Sequence, residues 1–569
     1  MIVKTAGLKI VFSVFAILVI TIFSFLPVLK NNFVNWDDPQ YTLENSAIRA
    51  LTPANLKKAF SCYYASNYQP LTMLSYSLDY HFFKLDPQAY HWTNLILHLL
   101  NCLLVFWLLY AFSNSVFIAF LTALFFGIHP LHVESVAWIS ERKDVLYALF
   151  FLGALVSYQY FLRNNYRFKF YCLTFVLFIL ACLSKSMAVT LPLVLLLFDH
   201  FSGRKLDKRV FREKAPFIVI AVIFGFVALF SQYTGGALRY DHMFSFLERM
   251  FIFTSGLVFY LLKLIFPLKL SCIYLIPNVS FAEFPKWFLV SPLLVAGIAA
   301  IVYYSKKYTG KIVFGTLFFL FTLLPVSQLI PFGNALAADR YTYVPAIGLF
   351  FLVAELFCWL YARRIPYLSI WKVVFTVFLI AWVGVLGSLT WQRAQVWKNS
   401  LSLFNDVLRQ YPQASFAYIN RGGAYLELKD RDKAAADFRT AIKLDPNFAF
   451  AYVNLCDVDN LSGKYEEAVL NCKTALRLDP AKVKAYFNLG NAYVSLGQKP
   501  EAIEVYKKAI SLDPDYVGAY QNLAAVYMSL KDYRQAFGLL KKALELNPDL
   551  AEAKHNLAII AAQEKQFPR

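Results

Sequence analysis

The sequence predicts an all-α protein in two parts: a polytopic membrane bundle of about eleven helices, then an α-solenoid of short helical repeats. Three observations predict it. The 569 residues are 59% hydrophobic and 18% aromatic with only 16% charged, far too apolar for a soluble domain. Apolar runs of bilayer-crossing character recur from residue 8 to about residue 391. Beyond them prolines return every 34 residues, at Pro412, Pro446, Pro480, Pro514 and Pro548. The boundary is expected near residue 400, with 1–400 in the membrane and 401–569 in the repeats.

The formal charge of +19 is uneven. Residues 401–569 hold 22 Lys/Arg against 20 Asp/Glu, which leaves 33 against 16 for residues 1–400. Apolar segments joined by basic connectors describe a chain embedded in an anionic lipid bilayer. The polar part has no basic patch interleaved with aromatics, so a nucleic-acid partner is not expected. The eight cysteines form no CxxC, so no zinc site is suggested. Cys456 and Cys472 share one repeat; they are a disulfide if that part faces an oxidising compartment and two small buried side chains otherwise.

The first apolar run, 8–29, lies beside Lys4 and Lys9 and has no A-x-A cleavage pattern after it; it reads as an uncleaved signal anchor with its N-terminus inside. Further runs fall at 92–111, 116–131, 145–162, 169–184, 186–200, 216–232, 247–266, 287–304, 312–330, 343–361 and 373–391. The connectors RNNYRFK (163–169), GRKLDKRVFREK (203–214), SKKYTGK (305–311) and RRIPYLSIWK (363–372) read as cytoplasmic. An even number of crossings must then separate residues 214 and 305. The run 247–266, which opens with Glu248 and Arg249, is therefore assigned to the interface. Eleven crossings leave the C-terminus outside, with the loop 30–90 and the segments 129–144 and 326–342. Within that loop, Thr52 and Pro53 are the N-cap and first residue of a short surface helix at 51–60.

In the second part, Ala417, Ala451, Ala485, Ala519 and Ala553 keep step with the prolines, as do Ala434, Ala468, Ala502 and Ala536. Small residues at fixed spacing let antiparallel helices approach closely, and a 34-residue helix–turn–helix period is that of the tetratricopeptide repeat. Four repeats are expected at about 415–448, 449–482, 483–516 and 517–550, followed by a capping helix at 551–563. Asp459 stands where the other repeats have Tyr425, Tyr493 and Tyr527, which predicts looser packing there. Asn420, Asn454, Asn488, Asn522 and Asn556 form a further column. Stacked along the concave face, such amides would pair with the backbone of an extended peptide; packing within the repeats is the alternative.

Polar residues near membrane depth mark candidate chemistry. Asp37 and Asp38 follow the first span in FVNWDDPQYT, where a turn and a catalytic pair are both open readings. His91, Asn94 and His98 share a helix face; HPLHVESVAWISERKDVL carries His129, His132, Glu134, Arg142, Lys143 and Asp144; Lys185 stands among apolar residues; Asp339 and Arg340 head a later span. HPLH breaks at its proline and lacks the i, i+4 spacing of a helical zinc motif, so no metal site is assigned and no cofactor is indicated. Arg142, Lys143, Lys185 and Arg340, all at outer ends of spans, suggest a pocket for an anionic headgroup.

Taken in order, these motifs resemble the transmembrane and tetratricopeptide-repeat protein O-mannosyltransferases and their bacterial relatives, of the C-type membrane glycosyltransferase class. FVNWDDPQYTLENSAIR is similar to that family's first-loop acidic motif, YQPLTMLSY with YHWTNLILH to its second block, and HPLHVESVAWISERKDVLYALFF to its HP-x-H-x-E…R-x-D block. KSMAVT, with Ser186 in place of the usual acidic residue, and DRYTYVPAIG resemble the last two. The resemblance implies transfer of a sugar from a polyprenyl-phosphate donor to Ser/Thr hydroxyls of an exported protein held by the repeats. It implies a first-loop aspartate as general base, Asp38 being favoured over Asp37. Arg142, Lys143, Lys185 and Arg340 would take the donor phosphate, and His91, His129, His132, Glu134 and Asp339 would line the substrate pocket. Two rival readings are a transferase acting on lipid or polysaccharide and a non-enzymatic membrane-anchored scaffold. The absence of a Gly-rich phosphate loop argues against a nucleotide-sugar donor.

Overall fold

Helices account for nearly all regular structure, as the composition requires. The computed structural model describes residues 2–235, 244–276, 284–329, 335–362 and 368–566. Part of the RRIPYLSIWK connector and part of segment 326–342 lie outside the described residues. The chain divides into two compact units, Met1–Leu403 and Phe404–Arg569.

In the first unit, α1 (Ile2–Phe25) leads into the loop that carries the aspartates. That loop contains α2 (Pro53–Ser61) and α3 (Pro70–Phe83). The Thr52 hydroxyl caps α2 by accepting from the Asn55 backbone N–H, as the sequence predicts. There follow α4 (Pro87–Ser113), α5 (Val116–Ile128), the short α6 (Val133–Ala137), α7 (Arg142–Arg163), α8 (Phe168–Ser184) and α9 (Leu191–Phe201). Then come α10 (Lys208–Thr234), α11 (Phe246–Ile265), α12 (Lys286–Ser305), α13 (Gly310–Leu323), α14 (Ala346–Ala362) and α15 (Leu368–Val396). One antiparallel strand pair, Tyr274–Leu275 with Ala335–Ala337, is the only sheet among the described residues.

The chain is a multi-pass membrane protein. Among the described residues six helices are long and apolar enough to cross a membrane, and α5 with the segment 130–137 makes a seventh, bent by 54°. Four shorter apolar helices fall at Phe168–Ser184, Ser186–Phe201, Gly310–Val326 and Ala346–Ala362. Each of the eleven expected runs is thus a helix, but four are short, because they end at polar turns around residues 185, 327 and 339. Backbone irregularity of that kind is tolerated in a membrane protein where it is buried in protein or lines a cavity. The helix α11 is absent from the apolar set; Ser245 and Glu248 form a capping box at its start.

The second unit is a stack of antiparallel helix pairs, from Ser415–Glu427 with Arg431–Leu444 through Val517–Ser529 with Tyr533–Leu546, closed by Ala551–Gln566. Ala417, Ala434, Ala451, Ala468, Ala485, Ala502, Ala519, Ala536 and Ala553 are completely buried at helix contacts. One column explains how each pair locks. At Gly422 and Gly490 an added Cβ would stand 2.6 Å and 2.4 Å from the rings of Phe438 and Tyr506. The same two positions in the second repeat are Cys456 and Cys472, which form a disulfide with a Cα separation of 5.5 Å. Asp459 does not leave that repeat loose: it is buried and accepts a hydrogen bond from Asn471 Nδ2 at 2.7 Å, while the disulfide joins the helices.

Candidate functional site

Four stretches of the first unit converge: the turn after α1, the segment from α6 to the start of α7, the turn after α8, and the turn before α14. The two adjacent aspartates have opposite fates. Asp38 is 1% exposed, and both of its oxygens are engaged. Oδ2 accepts from the Val34 N–H at 2.8 Å, and Oδ1 accepts from the Ser140 N–H at 3.0 Å and from the Ser140 hydroxyl. It ties the first loop to the stretch before α7. Burial pushes its carboxyl up to about 6, against the three bonds that favour the anion, so it is ionised at neutral pH. Asp37 is half-buried and, among the described residues, its carboxylate accepts no hydrogen bond. Burial raises its pKa while Lys143 and Arg340 pull it down and Glu141 pushes it up.

Beside Asp37 lies a chain of ion pairs. Arg340 donates through Nη1 to Glu134 Oε1 at 2.5 Å and through its backbone N–H to Oε2 at 2.9 Å. Its Nε stands 3.4 Å from Glu141 Oε1. Glu141 also meets Lys143 Nζ at 3.0 Å and Lys185 Nζ at 3.4 Å. Lys185 in turn pairs with Asp144 at 2.5 Å, whose other oxygen accepts from Ser135 Oγ at 3.0 Å. Arg340 and Lys185 keep 16% and 13% of their side chains open, whereas Glu134, Glu141 and Asp144 are closed off. The cluster therefore offers its cations outward and its carboxylates inward. Aromatic faces line it: Trp36 stacks on Trp138 at 4.6 Å, Arg340 lies over Trp138, and Lys143 lies over Tyr41.

Lys143, Lys185, Arg340, Glu134 and Asp37 thus come together. Arg142 does not join them. It is fully buried, ion-paired with Asp79 at 2.5 Å, bonded to Asn94 Oδ1 at 2.8 Å and to the Tyr90 carbonyl at 3.0 Å, and held between the rings of Tyr76 and Tyr90. With those donors spent, it fastens α3 and α4 to α7 and is not placed to hold a phosphate. The histidines expected in the pocket are interior as well. His91 is buried, His129 Nε2 meets the Leu264 carbonyl at 3.1 Å, and His132 Nδ1 meets that of Phe126 at 2.7 Å. His132 packs against Phe126, Tyr343 and Phe350. Asp339 is buried and accepts from the Tyr274 hydroxyl at 2.8 Å; burial pushes its carboxyl up to about 8, though Arg393 opposes this. Among the described residues no group of three or more His, Cys, Asp or Glu is arranged to hold a metal ion.

Glu141 and Trp138 were not singled out by sequence. Both stand in the same block as Glu134 and Lys143, where Glu141 opens the run of four charged residues 141–144, which was the available signal. In the repeats the middle of the amide column turns inward, and Asn420 and Asn522 are half-buried. Asn454 and Asn488 are buried, Asn420 Nδ2 donates to the Phe416 carbonyl, and Asn522 Nδ2 donates to Asn491 Oδ1 at 2.8 Å. Asn556 is half-buried. The central amides pack between helices instead of facing an open groove.

The chain is similar to protein O-mannosyl-transferases. It is 26% identical over 435 residues to protein O-mannosyl-transferase F38B6.6 of Caenorhabditis elegans, covering 74% of this chain and 59% of that protein. It is 25% identical over 435 residues to human protein O-mannosyl-transferase TMTC1, covering 66% and 48%. The chain spans about half the length of the relatives it matches. The repeat unit is under a third of the chain, so an alignment over 74% necessarily runs through much of the membrane unit. Tetratricopeptide-repeat family models match residues 415–448 and 517–550, and a TPR repeat model matches 456–497 and 490–531. A crystal structure of MamA is 27% identical over 27% of this chain and 89% of that one, with a TM-score of 0.24.

Proposed function

We propose that this protein is a membrane glycosyltransferase that moves a sugar from a polyprenyl-phosphate donor to Ser/Thr hydroxyls of exported polypeptides, with Asp37 as general base. The observation that carries the reading is the pairing, in one cluster, of a half-buried carboxylate that accepts no hydrogen bond among the described residues with partly open Arg340 and Lys185. The hydroxyl oxygen attacks the anomeric carbon, Asp37 takes its proton, and the bond from that carbon to the phosphate oxygen breaks with its electron pair passing to the phosphate. A positioned base contributes about 10²–10⁴-fold. Arg340 and Lys185, with Lys143 behind them, stabilise the charge gathering on the leaving phosphate. Asp38 positions its neighbour by anchoring the loop to Ser140. One displacement inverts the anomeric centre, and the similarity to O-mannosyl-transferases makes mannose the first sugar to test.

The cluster is assigned to the non-cytoplasmic face. The helix α7 leaves it at Arg142 and ends at Arg163 beside a basic connector; α8 returns from that connector to Ser184, just before Lys185. Basic connectors and cluster therefore sit at opposite ends of the same helices, as the positive-inside rule requires. The repeat unit is assigned to the same outer side, an oxidising compartment that suits the Cys456–Cys472 disulfide. There it holds the acceptor polypeptide; in a bacterial host the membrane is the inner one. Mass spectrometry of exported proteins from cells with and without the gene tests the reading. Loss of one specific hexose, restored by the wild-type gene and not by Asp37→Asn, supports it; an unchanged glycan profile rejects it.

A further inference from the structure

The mechanism above uses the cations and leaves Glu141 without a task, although Glu141 touches all three. It is 2% exposed and lies within 4 Å of Lys143, Lys185 and Arg340, which reach it from three different segments of the chain. It holds Lys143 at 3.0 Å, but its contacts to the other two are loose. Arg340 and Lys185 have their short partners elsewhere, Glu134 and Asp144 at 2.5 Å, and each meets Glu141 at 3.4 Å. By formal charge, Arg340, Lys143 and Lys185 are matched by Glu134, Glu141 and Asp144, so the cluster balances before Asp37 is added and has one acid in excess after it. An anion-binding site would ordinarily keep a surplus of positive charge. This one has been brought to balance by a carboxylate lodged among its cations.

We propose that Glu141 is a counter-charge that competes with the phosphate for Lys185 and Arg340, and so sets how readily the spent carrier phosphate leaves. The inference rests on the transferase reading. The donor is a phosphodiester with one negative charge, and the released monoester carries up to two. A fixed carboxylate a few ångströms away repels the product more than the substrate, and this favours turnover over tight product binding. Removing the charge while keeping the shape, as Glu141→Gln does, leaves the site one unit more positive. One unit of charge at this range, partly screened, shifts the affinity for a monoanion by roughly tenfold, and for a dianion by more.

The test uses the full-length protein in lipid nanodiscs, with farnesyl monophosphate and methyl farnesyl phosphate as monoester and diester probes. Glu141→Gln is expected to bind the monoester at least about tenfold more tightly and the diester by a smaller factor, with a lower kcat and a lower donor KM. Unchanged or weaker monoester binding overturns the proposal. Lys185→Gln is expected to weaken monoester binding by about tenfold, and the double variant to return to within about threefold of wild type. Losses that simply accumulate in the double variant also overturn it, and this arm remains decisive if Glu141→Gln alone is too unstable to purify. If the wild-type protein binds neither probe, the lipid-phosphate donor itself is wrong and the inference goes with it. If the wild type binds both and Glu141→Gln binds no better, only the role of Glu141 is lost.

Discussion

Two ion networks lie at opposite ends of the same helices, and they differ in one respect. At the connector end, Lys214 and Asp199 are completely buried and paired at 2.7 Å; Arg204 joins Asp199 at 2.7 Å and Glu213 at 3.0 Å. The Tyr158 hydroxyl donates to Asp199 and accepts from Lys214 at 2.6 Å. Three cations, Lys214, Arg204 and the exposed Arg209 at 3.7 Å from Glu213, meet two carboxylates, and each carboxylate has its partners. At the other end the cluster around Glu141 is just as charged, and Arg340 and Lys185 are about as open as Arg204 and Glu213, yet among the described residues Asp37 has no hydrogen-bond donor. Charge density alone therefore does not mark a site in this protein. The mark is an accessible polar group left without its complement, since folding has little reason to bury such a group partway.

That contrast makes the two ends respond differently to substitution. The largest effect is expected from Asp37→Asn: sugar transfer falls by about 10²–10⁴-fold while thermal stability is unchanged, because among the described residues no hydrogen bond depends on that carboxylate. Measuring transfer and melting on the same preparation separates the two. At the connector end, Lys214→Met should reverse the pattern. It removes the one completely buried cation from Asp199, leaving that carboxylate to Arg204 alone, and costs about 3–5 kcal/mol of stability, with transfer per folded molecule unchanged. A Lys214→Met protein that is fully stable but inactive would erase the distinction between the ends.

Asp38 is intermediate. In Asp38→Asn one amide N–H must face a backbone N–H donor, which costs about 1–3 kcal/mol. It also loosens the loop and lowers transfer by roughly tenfold, the lost hydrogen bond expressed as rate. The pH profile gives the smallest and most specific signature. As pH falls through about 6, Asp38 takes up a proton and can no longer accept all three bonds, and Asp37, its pKa also raised, loses the anion needed to deprotonate the acceptor. Transfer should therefore rise with pH through about 6 to a neutral plateau. In Asp38→Asn the limb should move to wherever Asp37 alone titrates. An acid limb unaltered by that substitution separates Asp38 from the site.

Much of this was legible in the sequence, for identifiable reasons. Apolar length and the 34-residue period are one-dimensional signals, so the eleven apolar helices and the repeat pairs could be read directly. The clustering of Glu134, Lys143, Lys185 and Arg340 was legible because each interrupts or borders an apolar run, where a charge has to be accounted for. Side-chain direction was not. Glu141, Arg142 and Lys143 are consecutive at the start of α7, and only the turn of the chain there sends Glu141 and Lys143 into the cluster and Arg142 into the Tyr76–Tyr90 clamp. The same limit applies to Asp37 and Asp38, whose difference lies in three donors from Val34 and Ser140. It applies also to the asparagine column, where spacing could not tell a concave face from a helix contact.

The central claim is that Asp37 removes the proton of the attacking hydroxyl. Azide is a nucleophile with no proton to lose, so it should bypass exactly that step and no other. Purified Asp37→Ala protein given polyprenyl-phosphate-linked sugar and azide is expected to consume donor at least about tenfold faster than without azide, giving a glycosyl azide of inverted anomeric configuration. Donor that still binds to Asp37→Ala yet is not consumed in azide would contradict the account.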